Sequence, residues 1–527
     1  MKIKHFLLSL LVSFLFALWT HRVELSDKYA VYNDAGIYYL LRAQADPGSM
    51  KNDLLASALG GGPLSSASGV RLLSGFMLPV EKAAMKLMGL REMLLLKSIL
   101  LQTLTCAAAF ALARALGFGG WAWGFLALFM AYFSSTNVFF GGLHRAYAPL
   151  LCLALYYYAE KGLIAGALAV SAGVYAFYGA SFPLFCCVVM LLLVGSADAK
   201  RRRYGWILLT VFAAVPFVLR FLRPDIVNGL GVAFAWKGSM NTHGFLWPEI
   251  YLFNANDHRE VYRWLTWALA AASAAALFFY RAAGRSIPRG DRIFLGAIAV
   301  SFIWAWLIDP GFSSRQTVYS LPLLLALFPF RYVIAAVPGK MRTAALWGMA
   351  ALPLLALVSF ENHSRTIARV SPAIMRTLSA LPEDSVVFSH PEAAPLLGFF
   401  TGRATYSNER WETALCGLTQ NPLCEEARER QRKTFEIYYS TSPAAVAAFA
   451  ASSGVTHFLV EEEFYSPDYF GFRLSGRYRF IERSARSRRP GDPALLELVR
   501  KKGAELEPGV WLMETVRLKA LKGPKRL

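Results

Sequence analysis

Charge is scarce in this chain: 17% of its 527 residues are charged and 56% are hydrophobic. Soluble domains carry about a quarter charged residues, so an ordinary soluble globule is excluded. Internal repeats and low-complexity tracts are also missing, as is a Gly-rich phosphate loop behind any strand pattern, which removes the main support for a nucleotide-binding fold. No His-x-x-x-His pair or other dedicated metal-ligand motif occurs. No small-residue cleavage site follows the first apolar run, so the basic start Met1–His5 and the run behind it predict a retained helix, not a signal peptide.

What fills the sequence is apolar runs. A helical span needs about 20 apolar residues, range roughly 17–25. Stretches near that length lie at 5–20, 93–113, 119–134, 147–159, 163–180, 182–197, 204–222, 262–280, 293–308, 319–337 and 343–360. They predict an α-helical polytopic membrane bundle of about eleven transmembrane helices, followed by a C-terminal soluble α/β domain. The boundary falls near residue 361, giving a transmembrane domain over 1–361 and a soluble domain over 362–527, with 21–91 as a long first outer loop.

The formal net charge of +20 does not indicate nucleic acid. Met1–His5, Arg114, Lys161, Lys200–Arg203, the 281–292 loop and Lys340–Arg342 all fall between spans on one side, where the positive-inside rule puts cations. Counting alternately from a cytoplasmic N-terminus places loops 21–91, 135–146, 223–260 and 309–318, together with the C-terminal domain, outside the cytoplasm. The expected setting is a membrane with the C-terminal domain on its outer side.

In the first outer loop, 34–45 has helical character and 71–90 mixes apolar residues with lysines, as a helix lying along a membrane surface would. Beyond 365, helix patterns at 371–381, 392–400, 424–438 and 443–453 alternate with buried-strand runs at 385–389, 403–407 and 456–460, which predicts a partly parallel sheet. Of six cysteines, Cys106, Cys152, Cys186 and Cys187 sit in apolar spans and suit packing. Cys416 and Cys424 flank a turn-rich stretch in the soluble domain; a short disulfide loop and two buried thiols are the alternatives.

Two places could carry chemistry. Asp34 is followed at helical spacing by Tyr38 and Arg42, so the three share one face. A carboxylate there could serve as a general base, bind a divalent cation or simply cap the helix. The second place is Gly141–Pro149, where an outer loop re-enters the membrane carrying His144 and Arg145. A guanidinium suits phosphate oxygens, with lipid snorkelling or an acidic partner such as Asp34 as the alternative. Lys237, His243 and Arg315 are further outer-face groups suited to an anionic ligand, with Asp309 near Arg315 offering a structural ion pair instead.

Tyr32-Asn33-Asp34 at the opening of a long first outer loop, roughly ten further spans, and an outer-side soluble domain containing Leu381-Pro-Glu-Asp-Ser-Val-Val-Phe388, Thr401-Gly-Arg403 and Gly454-Val-Thr-His-Phe-Leu-Val460 resemble the GT-C superfamily of integral-membrane glycosyltransferases. That resemblance implies a polyprenyl-phosphate-linked sugar donor, a glycan, lipid or protein acceptor, and Asp34 as the catalytic acidic residue of the first loop. The second outer loop, 134–146, has no acidic residue and offers His144 and Arg145 in its place. A non-catalytic scaffold or a glycan or lipid transporter is the competing expectation. Inverted repeats would mark a transporter, and the sequence shows none.

Overall fold

The computed structural model describes residues 3–32, 39, 41–42, 50, 52–54, 78–135, 139–142, 144–178, 181–222, 260–308, 316–317, 319–336, 339–344, 347–348, 367–408, 411, 422–466 and 493–519. The chain divides into two compact units. One is built from Met1–Lys28, Gly75–Gly231 and Asn241–Ile367, the other from Tyr29–Ser74, Val232–Met240 and Ala368–Leu527.

The first unit is helical. Its described helices of eleven residues or more are α1 (Ile3–Thr20), α2 (Leu78–Met88), α3 (Leu90–Ala115), α4 (Ala122–Ser135), α5 (Tyr147–Lys161), α6 (Ile164–Tyr178), α7 (Phe182–Val194), α8 (Ala199–Leu222), α9 (Glu260–Ala282), α10 (Arg289–Ile308) and α11 (Ser320–Ala336). All but α2 fall on apolar stretches counted in the sequence; the last such stretch, 343–360, lies almost wholly outside the described residues. Four described helices (α1, α3, α8 and α10) are long and apolar enough to cross a membrane, which makes the architecture multi-pass.

The packing of α1 reverses that of a water-soluble helix. Ser9, Ser13, Ala17 and Thr20 face inward, while Leu7, Leu11 and Leu15 are more than half exposed. Lipid solvates leucine well, so helices in a bilayer associate through small residues that let backbones approach. Thr20 adds a polar tie, its Oγ1 donating to Gln102 Oε1 of α3 at 3.0 Å. Thr103 and Thr105 of α3 satisfy their hydroxyls on the carbonyls of Ile99 and Leu101, as polar groups without water must. In the core of the bundle Phe118 stacks on Phe330 and Phe125 meets both edge-on, with centroids 5.9 to 6.3 Å apart.

Where α5 ends, a polar network ties three helices. Asp291 of α10 is fully buried and accepts hydrogen bonds from the hydroxyls of Tyr156 of α5 and, at 2.6 Å, of Tyr332 of α11. The Arg331 guanidinium reaches both Asp291, at 3.3 Å, and Glu160. Glu160 also accepts from the backbone N–H of Gly290 at 2.9 Å. Tyr156 is fully buried and thus both packs and donates a hydrogen bond.

The second unit has a five-stranded sheet of order β4-β3-β5-β7-β6. In chain order its elements are β1 (Ala30–Tyr32), β2 (Ile367–Arg369), α12 (Pro372–Ser379), β3 (Val386–Phe388), α13 (Ala394–Thr401), β4 (Ala404–Thr405), α14 (Pro422–Tyr438), α15 (Pro443–Ser452), β5 (His457–Glu461), α16 (Ala494–Lys502), β6 (Ala504–Glu507) and β7 (Val510–Glu514). β3 pairs in parallel with β4 and β5, and β7 runs antiparallel to β5 and β6. The parallel three arise from the strand–helix alternation legible in the sequence. Ser371 and Ser442 start α12 and α15 by accepting the N–H of Ala373 and Ala445, each with proline at the first helical position.

The chain steps from β3 to β4 on one side and then to β5 on the other, so the crevice at the carboxyl ends lies between β3 and β5. Open α/β sheets bind nucleotides there. Here the place is filled by His390, which is fully buried, stacks on Phe464 at 4.0 Å and meets the hydroxyl of Tyr439 at 3.3 Å. Burial holds its pKa well below the usual histidine value. Cys424 is disulfide-bonded, whereas Cys106, Cys152, Cys186 and Cys187 are free thiols.

Candidate functional site

The re-entry corner of the first unit begins with two glycines in left-handed backbone, Gly141 at φ 72° and Gly142 at φ 59°. Gly142 has a second reason to be glycine: a Cβ there would stand 2.6 Å from the carbonyl oxygen of Leu94. The loop backbone therefore lies directly on α3, and the Gly142 N–H donates to Ser98 Oγ at 2.6 Å. One 3-10 turn, His144–Ala146, then leads into α5. Pro149 sits in the first turn of α5, where a missing N–H breaks no helical bond.

This path buries His144, whose Nε2 lies 3.3 Å from a carboxylate oxygen of Glu81 in α2. The same carboxylate accepts a hydrogen bond from Lys97 Nζ of α3. Lys97 also lies 5.3 Å from the centroid of the Tyr147 ring. Side-chain exposure is 3% for Glu81, 9% for Lys97 and 8% for His144. Burial would raise Glu81, but the His144 hydrogen bond and the Lys97 charge outweigh it and leave its pKa lowered. Burial lowers His144, against the raising pull of Glu81. Arg145 follows, partly exposed, at the rim.

Glu81 and Lys97 belong to this corner although no sequence motif points to them. Lys97 carried a usable signal, since a lysine inside an apolar span demands a partner. Glu81 carried none, because its stretch reads as a surface helix. Among the described residues no group of three His, Cys, Asp or Glu side chains is placed to hold a metal ion. In the corner itself a divalent cation would have to displace the ammonium from Glu81, so the residues present do not fit one.

Of the other residues singled out from the sequence, Asp34, Tyr38, Lys237, His243, Arg315 and Cys416 lie outside the described residues. Arg42 is described, in the second unit. Its guanidinium donates to the carbonyls of Phe399 and Phe400 at 3.1 and 3.0 Å, in the last turn of α13.

No family model matches the chain, and no curated protein matches its sequence. Among solved structures it is similar to the Archaeoglobus fulgidus oligosaccharyltransferase tethered with an acceptor peptide containing the NVT sequon via a disulfide bond. The TM-score is 0.51 at 10% identity, over 91% of this chain and 72% of that one. The archaeal oligosaccharyltransferase AglB from the same organism, in complex with an inhibitory peptide and a dolichol-phosphate, matches at TM-score 0.49 and 11% identity over the same shares. At such identity the first likeness establishes the fold alone.

Proposed function

We propose that this chain is an inverting GT-C glycosyltransferase at the outer face of a bacterial inner membrane. It transfers a sugar from a polyprenyl-phosphate donor to a glycan, lipid or protein acceptor. The observation that carries this reading is the buried corner of Glu81, Lys97 and His144 with Arg145 at its rim, on a fold similar to that of an oligosaccharyltransferase. Ionisable groups at membrane depth are costly and mark functional places.

In this reading Asp34 accepts the proton of the acceptor hydroxyl as its oxygen attacks the anomeric carbon. The bond to the donor phosphate breaks, and the lipid phosphate departs with the electron pair. Arg145 stabilises the charge developing on that leaving group, and a fixed cation acts most strongly where water is excluded. His144 gives its Nε2 to the Glu81 carboxylate and is assigned to holding the corner behind Arg145. Lys237, His243 and Arg315 are assigned to the same anionic ligand, and Tyr38 to the sugar. Arg42 is instead assigned to holding α13. Cys416 is the proposed partner of Cys424. No step is assigned to a metal ion.

The test is reconstitution of the full chain in liposomes with a radiolabelled polyprenyl-phosphate sugar and membrane-derived acceptors. Transfer by the wild type, with an Arg145→Gln variant whose donor KM rises at least about tenfold, supports the reading. Absence of transfer together with a constant co-purifying partner points to the scaffold. The saturation of Lys97 by an internal carboxylate is the observation that favours that second reading.

A further inference from the structure

The two faces of α8 have different neighbours. Gly205, Leu209, Phe212 and Pro216 recur at helical spacing and form its packed side. A Cβ at Gly205 would stand 2.6 Å from the Val194 backbone nitrogen, so α8 lies directly on the end of α7. Phe212 stacks on Trp304 of α10 with centroids 4.7 Å apart, and the Trp304 indole donates to the Phe212 carbonyl at 2.7 Å. On the opposite side Ile207, Val211, Val218 and Phe221 are 48% to 81% exposed. Because α8 is long and apolar enough to cross a membrane, this strip faces acyl chains.

The same strip begins with two cations. Lys200, Arg203, Ile207, Val211 and Val218 follow one another at intervals of three, four, four and seven, which keeps them on one helical face. Lys200 and Arg203 are exposed. Among the described residues the run Lys200–Arg203 makes one ion pair, Arg201 with Asp198 at 3.4 Å, and Arg201 lies off the strip. Other cations of this unit are held internally: Arg331 by Glu160 and Asp291, Arg285 by the Ala335 carbonyl and Arg342 by the Ile334 carbonyl. Beside the two cations Tyr204 and Trp206 are also exposed, as aromatic side chains at headgroup level are.

We infer that Lys200 and Arg203 form a binding site for an anionic phospholipid. Its headgroup phosphate lies between the ammonium and the guanidinium, and its acyl chains run along Ile207, Val211 and Val218. A phosphodiester suits a guanidinium, and only a lipid of net negative charge gains from both cations. Short connections make α5, α6, α7 and α8 antiparallel neighbours in turn. α5 leads away from His144, so the start of α8 lies at the opposite end of the bundle from that corner. The site is therefore separate from the proposed donor site and does not depend on the transfer reaction.

The experiment exposes the full chain in detergent to equimolar phosphatidylglycerol and phosphatidylcholine and counts bound lipids by native mass spectrometry. Two double variants carry the same change of charge: Lys200→Gln with Arg203→Gln on the strip, and Arg201→Gln with Arg202→Gln off it. All four side chains are exposed, so neither variant disturbs packing. At about fivefold per cation, the wild type is expected to favour phosphatidylglycerol by at least about tenfold. The first variant should fall to within about twofold of no preference, while the second keeps most of it. A wild type without preference overturns the inference. Equal losses in both variants overturn it too, since they would mean diffuse charge attraction and no site. Inorganic phosphate added in equal amount should leave the lipid bound; full displacement would mean a site for a free anion and would also overturn it.

Discussion

Nε2 of His144 lies 3.3 Å from the carboxylate of Glu81, and that carboxylate also carries the Lys97 ion pair. The pair is nearly sealed from solvent, so removing one partner strands a buried charge. Glu81→Gln is expected to lower stability by about 3 kcal/mol, the low end of the range for a broken buried pair. The double variant Glu81→Gln with Lys97→Met should recover most of that loss, because neither charge remains. Thermal midpoints in detergent check this; additive losses would mean that the two side chains are not coupled.

The network at the end of α5 makes a related prediction with a different ranking. Arg331 is the cation that bridges Glu160 and Asp291. Arg331→Leu leaves two carboxylates facing each other and is expected to cost about 3 kcal/mol or more. Glu160→Gln leaves Arg331 bonded to Asp291, so its cost should be smaller. Denaturation in a graded detergent series would show the order, and a larger loss for Glu160→Gln would contradict it.

Gly142 and Gly117 separate backbone strain from steric conflict. Both have positive φ, but a Cβ meets nothing within 4 Å at Gly117 and the Leu94 carbonyl at Gly142. Gly117→Ala should cost about 1 kcal/mol, the left-handed penalty alone. Gly142→Ala must also push the loop off α3, so it should lose more stability and raise donor KM. Equal effects in both measurements would show that the close approach at Leu94 does not matter.

His390 gives a pH dependence. Its folded pKa lies well below the usual value, which is about 6.5 in the unfolded chain. The unfolded state then binds the proton more readily, so stability rises with pH up to about that value. The contribution is complete above it and is lost as pH falls toward the folded pKa. Exchange of the β3 and β5 amides, corrected for intrinsic rates, should quicken between about pH 7.5 and 5.5 in the wild type and change less in His390→Gln. The same slope in both would contradict the assignment.

The helices of the first unit were legible because lipid-facing runs need no long-range information: length and apolarity suffice. The strands Val386–Phe388 and His457–Glu461 were legible for a similar reason, as short apolar runs bounded by turn residues. The β6–β7 hairpin escaped because Ala504–Glu507 is a polar edge strand with a bulge, pairing through backbone and not through a buried face. Pairings across the chain escaped altogether. Glu81 meets His144 63 residues on, and Tyr39 meets Trp411 372 residues on. No local pattern encodes such partners, although a lysine inside an apolar span marks where one is needed.

The most direct test of the proposed chemistry is single-turnover transfer by Asp34→Asn, with donor binding measured on the same preparation. The substitution keeps size and removes the proton acceptor. The account predicts transfer reduced at least about a hundredfold, the lower range for general-base catalysis, with donor affinity within a few-fold of wild type. Transfer at the wild-type rate, with donor bound equally well, would contradict it.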